Sequence, residues 1–188
     1  MKLIILGIAI ATSSFTSCDS NNSSKQGETV NNDTTRTEQP SQVIQKDSAS
    51  IQNVLTEYLK LKNALVAGKS KEAADASNSL KATLDKLGSD LMTASEQKAF
   101  ADLGDDTKEH AEHIGSAGSD IKHQREHFQM LSKDIYDLVK VFGTNQTLYK
   151  DYCPMVKAIW LSELKPIKNP YYGSSMLTCG NVQETIQQ

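Results

Sequence analysis

The stretch SDIKHQREHFQMLSKDIYDLVKVFG, residues 119–143, decides the fold class of this chain. Its large apolar side chains recur every three or four residues, which is the spacing of one face of an α-helix. These apolar positions are Ile121, Phe128, Leu131, Ile135, Leu138, Val139 and Phe142. Ser119 is placed to begin the helix and Gly143 to end it, because serine caps helix N-termini and glycine follows helix C-termini. The stretch therefore predicts a long amphipathic helix with one buried face.

Three segments upstream show the same period. The first runs from Ser48 to Gly68, the second from Ser70 to Leu91, and the third opens at Ser95 as its cap. Four helices joined by short turns pack as antiparallel neighbours, because such connections permit little else. The predicted fold class is all-α, an up-down-up-down four-helix bundle.

The chain after residue 144 has a different composition. It holds three of the four prolines, four of the six tyrosines, the single tryptophan and two of the three cysteines. This composition predicts an irregular C-terminal segment, rich in aromatic residues and containing Cys and Met, that packs across the bundle as loops and short turns. Trp160, Tyr171 and Tyr172 would supply much of its buried area.

The charge and the motifs exclude two function classes. The chain has 20 Lys+Arg against 23 Asp+Glu, a net charge of -3, and nucleic-acid binding needs clustered positive charge. The sequence contains no nucleophile elbow, no HExxH motif and no carboxylate pair set apart by its surroundings. A thiol redox enzyme is disfavoured because the CxxC arrangement is missing. We therefore expect a protein that is not an enzyme and does not bind nucleic acid.

The N-terminus has the layout of a lipoprotein signal peptide over residues 1–17. Lys2 precedes the apolar run LIILGIAIA, which is too short to span a bilayer. The tetrapeptide FTSC, which ends at Cys18, resembles a lipobox and predicts lipidation of that cysteine. An ordinary signal peptide followed by an incidental cysteine is the alternative.

Residues 18–47 follow as a polar segment rich in Ser, Thr, Asn and Gln. Such a segment buries too little apolar surface to offset the entropy of ordering, so it predicts a disordered tether. Residues 48–188 then form the folded domain. The expected location is the cell envelope, with the domain facing the periplasm and anchored to the membrane through lipid on Cys18.

Two short motifs in the C-terminal segment carry soft metal ligands. YCPM contains Cys153 and Met155, and SMLTCG contains Met176 and Cys179. Thiolate and thioether sulfur select Cu(I) and related soft ions. The same cysteines also suit a structural disulfide, which would contribute about 3 to 4 kcal/mol in an oxidising compartment. The residues alone leave the metal site and the disulfide equally open.

The helices add histidines to the candidate ligands. His123 and His127 are four residues apart, so their imidazoles lie on one face of the fourth helix. A pair at this spacing is more often solvated or hydrogen-bonded than metal-bound. His110 of the third helix points inward and is most simply a core histidine, with His113 three residues further on.

The run from the fourth helix to the end resembles a family of bacterial periplasmic domains of unknown function. The segments that carry the resemblance are HQREHFQMLSKDIYDLVK, YCPM, WLS and IKNPYYGSSMLTCG. Members of that family occur as small lipoproteins and as the C-terminal part of heavy-metal efflux adaptors of the copper/silver type. The resemblance covers most of residues 48–182 and implies a helical domain that binds copper or silver beside an efflux system. Its signature places the metal ligands at His123, His127, Cys153, Met155, Met176 and Cys179.

The expected function is therefore that of a membrane-anchored periplasmic binding protein for Cu(I) or Ag(I). It would sequester or deliver the ion in connection with heavy-metal efflux, with efflux adaptor or transporter components as partners. Residues 145–182 would carry the metal-binding segment. The alternative is a non-metal helical interaction module that docks an envelope partner and is stapled by a Cys153–Cys179 disulfide.

Overall fold

The computed structural model describes residues 44–187, which belong to one compact unit. The predicted signal peptide, Cys18 and the tether up to residue 43 lie outside the described residues. Four helices come first and three strands follow. The helices are α1 (Ile44–Val66), α2 (Ser70–Leu84), α3 (Ala94–Ser116) and α4 (Ile121–Phe142), and the strands are β1 (Leu148–Cys153), β2 (Ala158–Ser162) and β3 (Asn181–Ile186).

The four predicted helices are confirmed, and two of their starts are set by residues other than those predicted. Thr93, rather than Ser95, caps α3: its side chain accepts from the backbone N–H of Glu96, whose carboxylate accepts from the backbone N–H of Thr93. Asp120, rather than Ser119, caps α4, because its carboxylate accepts from two backbone N–H groups of the first turn. Each acidic side chain also suits the positive end of the helix dipole.

The lengths of the helices also differ from the prediction in two places. α1 begins at Ile44, four residues before the predicted domain boundary at Ser48. α2 ends at Leu84, and the short 3₁₀ helix Ser89–Leu91 lies between α2 and α3. Gly143 follows α4 as predicted and adopts a φ of 76°, a conformation that glycine tolerates without strain.

The prediction of an irregular C-terminal segment is wrong. The segment forms a three-stranded antiparallel sheet in the order β2-β1-β3, with β1 in the centre. The prolines behind that prediction fall in the connections: Pro154 lies in the β1–β2 turn, and Pro166 and Pro170 lie between β2 and β3. The aromatic and β-branched residues between these connections favour strands, so the prolines mark where the strands end.

One hydrophobic core joins the helices to the sheet. Tyr58 of α1 stacks on Phe128 of α4 with ring centroids 5.4 Å apart. The Tyr58 hydroxyl also meets Ser132 at 2.9 Å and accepts from the backbone N–H of Leu161 at 3.0 Å, which ties β2 to α1 and α4. Trp160 of β2 is fully buried in the same core.

Consecutive helices contact one another along this core, and α1 also contacts α4. Within residues 44–187, none of the helices combines the length and the apolar character needed to cross a membrane.

Candidate functional site

The structure brings Cys153 and Cys179 together as two free thiols, which we call the thiol pair. Cys153 is the last residue of β1, and Cys179 lies two residues before the start of β3. Because β3 returns beside β1 with Tyr152 opposite Asn181, the chain carries Cys179 back to the end of β1. Cys153 is buried and Cys179 is half-buried, so the pair is reached from the Cys179 side.

The environment of Cys153 favours its thiolate. Burial raises the pKa of the Cys153 thiol, but hydrogen bonds from the backbone N–H of Val156, the Asn169 side chain and the backbone N–H of Met155 together bring it below its usual value. For Cys179, burial and the negative charge of Cys153 raise the pKa of the thiol. The two pKa values are therefore moved in opposite directions, and Cys153 is the thiol of the pair that loses its proton first.

Asn169 organises the loop that carries Cys179. Its side chain is fully buried, its Nδ2 donates to the carbonyl of Cys179 at 2.7 Å, and its Oδ1 accepts from the backbone N–H of Tyr171 at 2.8 Å. Its own backbone N–H donates to the carbonyl of Leu177 at 2.8 Å. One side chain thus fixes both ends of the loop and helps to lower the pKa of Cys153.

Gly180 is required beside the thiol pair. Its φ is 143°, and a Cβ at this position would lie 2.8 Å from both the Trp160 ring and the carbonyl oxygen of Tyr152. The buried tryptophan and the backbone of β1 have no room to move, so only glycine fits. This close approach presses the residue after Cys179 onto β1.

The two predicted thioether ligands differ in exposure. Met155 is in the β1–β2 turn, two residues after Cys153, and is 61% exposed. Met176 ends the 3₁₀ helix Gly173–Met176 and is half-buried, and its carbonyl accepts from the backbone N–H of Cys179 at 3.1 Å. Both methionines therefore flank the thiol pair in the chain, one of them facing solvent.

A second group of ligands lies between α3 and α4. Its members are the four histidines of the chain, which we call the histidine cluster: His110, His113, His123 and His127. One potential ligand atom from each of His113, His123 and His127 lies within 4.8 Å of the other two. Among the described residues, these three histidines are the His, Cys, Asp or Glu side chains that lie close enough together to hold one metal ion. Neither cysteine belongs to this group.

The rings in the histidine cluster are closely packed. His113 stacks on His127 with ring centroids 4.3 Å apart, and His123 meets His127 edge-on at 4.6 Å. His110 lies 3.4 Å from His127 between their Nδ1 atoms, so one of these two rings donates a hydrogen bond to the other. Burial lowers the pKa of His127, and the neighbouring histidines lower it further. The lowered pKa favours the neutral form of His127, which is the form that binds metals.

The predicted ligands thus fall into two places. His123 and His127 face α3, whereas Arg125 between them donates from Nε to the carbonyl of Pro170 in the β2–β3 connection at 2.9 Å. Residues two apart on a helix point to nearly opposite sides, since each residue turns the direction by about 100°. The histidine cluster and the thiol pair therefore lie on different sides of α4.

Sequence reasoning named His113 only as a neighbour of His110 and left it out of the predicted ligands. It took His110 for a core histidine, whereas His110 is half-buried beside His127. The number of residues between each histidine and the α3–α4 connection would have identified them. His110 is six residues before the end of α3 and His127 six residues after the start of α4. In an antiparallel helix pair such residues lie at the same height, so the two histidine pairs had to meet.

The helical part of this chain matches a known family model. A model described as "Protein of unknown function (DUF3347)" matches residues 54–147. The matched residues contain all four histidines and end before Cys153. No curated protein and no solved structure matches the chain.

Proposed function

We propose, from the premise that this chain belongs to the DUF3347 family of proteins of unknown function, that it is a membrane-anchored periplasmic binding protein for Cu(I) or Ag(I). It sequesters or delivers the ion in connection with heavy-metal efflux, and efflux adaptor or transporter components are its partners. Lipid on Cys18 anchors it, residues 18–47 form the tether, and the helices form an up-down-up-down bundle that supports the binding loops.

One observation carries this proposal: two free thiols from distant parts of the chain lie close together, and the surroundings of one of them lower its pKa. Cu(I) and Ag(I) prefer soft sulfur ligands. Cys153 supplies the first anionic ligand from a site already fixed by backbone N–H groups, and Cys179 supplies the second from the solvent side.

The two methionines serve as weaker ligands through which the ion reaches or leaves the thiol pair. Met155 is 61% exposed two residues after Cys153, so its thioether is accessible to an arriving ion or to a partner that receives one. Met176 lies three residues before Cys179 and is half-buried. Neutral thioethers bind soft ions more weakly than thiolates, which suits a ligand that exchanges.

An anaerobic titration of the reduced full chain with Cu(I), against a competing chelator, tests the proposal. We expect one Cu(I) per chain, bound tightly by the wild type and lost in Cys153→Ser/Cys179→Ser. Met155→Leu is expected to keep the affinity and slow the transfer of the ion to an acceptor. His123→Asn/His127→Asn is the matched control and is expected to bind Cu(I) as the wild type does.

The same contact between the thiols also favours a second candidate, a non-metal interaction module. Two thiols in contact need little movement to form a disulfide, which would staple β1 to the β2–β3 connection. If protein prepared without reductant carries a Cys153–Cys179 disulfide, and the reduced protein binds Cu(I) no better than the serine variant, the interaction module is the better answer.

A further inference from the structure

The histidine cluster has no part in the proposed thiol chemistry, yet its geometry is that of a metal site. His113 comes from α3, and His123 and His127 come from successive turns of α4. One nitrogen from each lies within 4.8 Å of the other two. Two nitrogens bound to one zinc ion lie about 3.3 Å apart, since each bond is about 2.0 Å and the geometry is tetrahedral. Small side-chain rotations therefore bring the three imidazoles onto one ion.

His110 supports the site from outside the ligand group. Its Nδ1 lies 3.4 Å from the Nδ1 of His127. A metal-binding histidine commonly donates its other ring N–H to a neighbour, which fixes the tautomer and the direction of the ring. When the His127 Nδ1–H donates to His110, the Nε2 of His127 is left with its lone pair free for an ion. His110 is thus a positioning residue.

Two carboxylates lie beside the cluster and offset the charge of a cation. Glu109 approaches the Nε2 of His113 at 3.7 Å, and Glu126 approaches the Nδ1 of His123 at 3.9 Å. The side chains of His113 and His123 are 46% and 42% exposed, so an ion can enter from solvent and keep a position open for water.

We propose that His113, His123 and His127 bind a divalent first-row transition-metal ion at a site separate from the thiol pair. Imidazole nitrogens suit Zn²⁺, Cu²⁺, Ni²⁺ and Co²⁺, and the general affinity order makes Cu²⁺ the tightest of these. The protein then carries two sites of different chemistry, one for a soft monovalent ion and one for a borderline divalent ion.

Anaerobic titration of the reduced full chain with Co²⁺ tests this inference, because its visible spectrum reports the ligands. We expect one Co²⁺ per chain with no thiolate-to-cobalt charge-transfer band, displaced by Zn²⁺. The expected affinity is unchanged in Cys153→Ser/Cys179→Ser and weaker by about 100-fold in His127→Asn. His110→Asn is expected to weaken binding by about 10-fold while keeping the spectrum, as loss of an outer hydrogen bond does.

His113→Gln keeps the inference testable if His127→Asn does not fold, because His113 is partly exposed. Lys98→Asn on α3 is the control, because it also places asparagine in a helix but does not touch the cluster. It is expected to bind Co²⁺ as the wild type does. Binding that persists in the folded histidine variants, a thiolate band that disappears with the cysteines, or no binding by the wild type would each overturn the site.

Discussion

The thiol pair and the histidine cluster are built in opposite ways. The histidines project from two regular helices and meet because they lie at equal distances from one turn. The thiols meet because an unusual loop is fixed by a buried asparagine, a glycine against a tryptophan, and backbone N–H groups that face a sulfur. The helical cluster therefore depends on the register of two helices, which many side chains define, whereas the thiol pair depends on a few residues that cannot be replaced.

The largest effect on the free energy of unfolding is expected at Gly180, beside the thiol pair, and it is compared with Gly115, near the histidine cluster. Gly180→Ala forces a Cβ against Trp160 and the β1 backbone at a positive φ, and is expected to cost about 4 kcal/mol in the free energy of unfolding. Gly115→Ala on α3 meets only the end of the Asn78 side chain, and is expected to cost less than about 1 kcal/mol, because that side chain can turn away and alanine favours the helix. Urea denaturation of both variants measures the contrast. Similar costs at the two positions would contradict it.

Asn169→Ala is the next test of the thiol side. Removing this buried amide leaves the Cys179 carbonyl and the Tyr171 N–H without their partner, so we expect a loss of about 3 kcal/mol. The pKa of Cys153 should also rise, which thiolate absorbance followed against pH would measure. Asn53→Ala on the exposed face of α1 is the control and should change neither quantity. An unchanged Cys153 titration would show that the backbone N–H groups alone hold the thiolate.

A buried carboxylate in β1 contributes to the pH dependence of stability. Burial raises the pKa of Asp151 to about 7, an increase that Lys62 partly offsets, and neither carboxylate oxygen has a hydrogen-bond partner among the described residues. The unfolded chain gives up this proton near pH 4, so the stability contribution present below that pH is lost as the pH rises to about 7.

Asp151→Asn is therefore expected to stabilise the protein by about 2 kcal/mol at pH 8 and to change little at pH 4. Glu184→Gln on β3 should have the opposite sign at pH 8, because hydrogen bonds from Lys140 and Tyr136 lower the pKa of Glu184. Denaturation at the two pH values measures both. Equal effects of Asp151→Asn at pH 4 and pH 8 would contradict the raised pKa.

The smallest expected effect concerns the start of α4. Asp120→Ala removes the carboxylate that accepts from the backbone N–H groups of Lys122 and His123, and is expected to cost about 1 kcal/mol. Because the first turn then frays, Co²⁺ binding through His123 should weaken by a few-fold while Cu(I) binding stays the same. Equal weakening of both ions would show that the two clusters are not independent.

Most of the helical part of the fold could be predicted from the sequence, and little of the strand part could. The apolar period predicted all four helices, because each buries one face, and Gly143 correctly marked the end of α4. β1 and β2 form a local hairpin, but Pro154 in its turn and the short strands favoured an irregular segment. β3 was missed because it pairs with β1 across almost thirty residues, and such a pairing leaves no local pattern.

The candidate ligands show the same limit. Cys153 and Cys179 stood out by residue type, and their contact depends on the return of β3 beside β1. His113 did not stand out, although its distance from the α3–α4 turn matches that of His123 to within one residue. Residue type indicates which side chains carry chemistry, and only the paired geometry of the elements indicates which of them act together.

The opposite pKa shifts of the two thiols decide how many protons leave when a soft ion arrives. Between the pKa values of Cys153 and Cys179, one sulfur has already given up its proton and the other has not. Capture of one Cu(I) by both sulfurs then releases one proton instead of two. The apparent affinity for Cu(I) should therefore change about tenfold per pH unit in this window. A dithiol that releases two protons would change about a hundredfold per pH unit. The loop that lowers the pKa of Cys153 thus makes ion capture less sensitive to acidification of the surroundings.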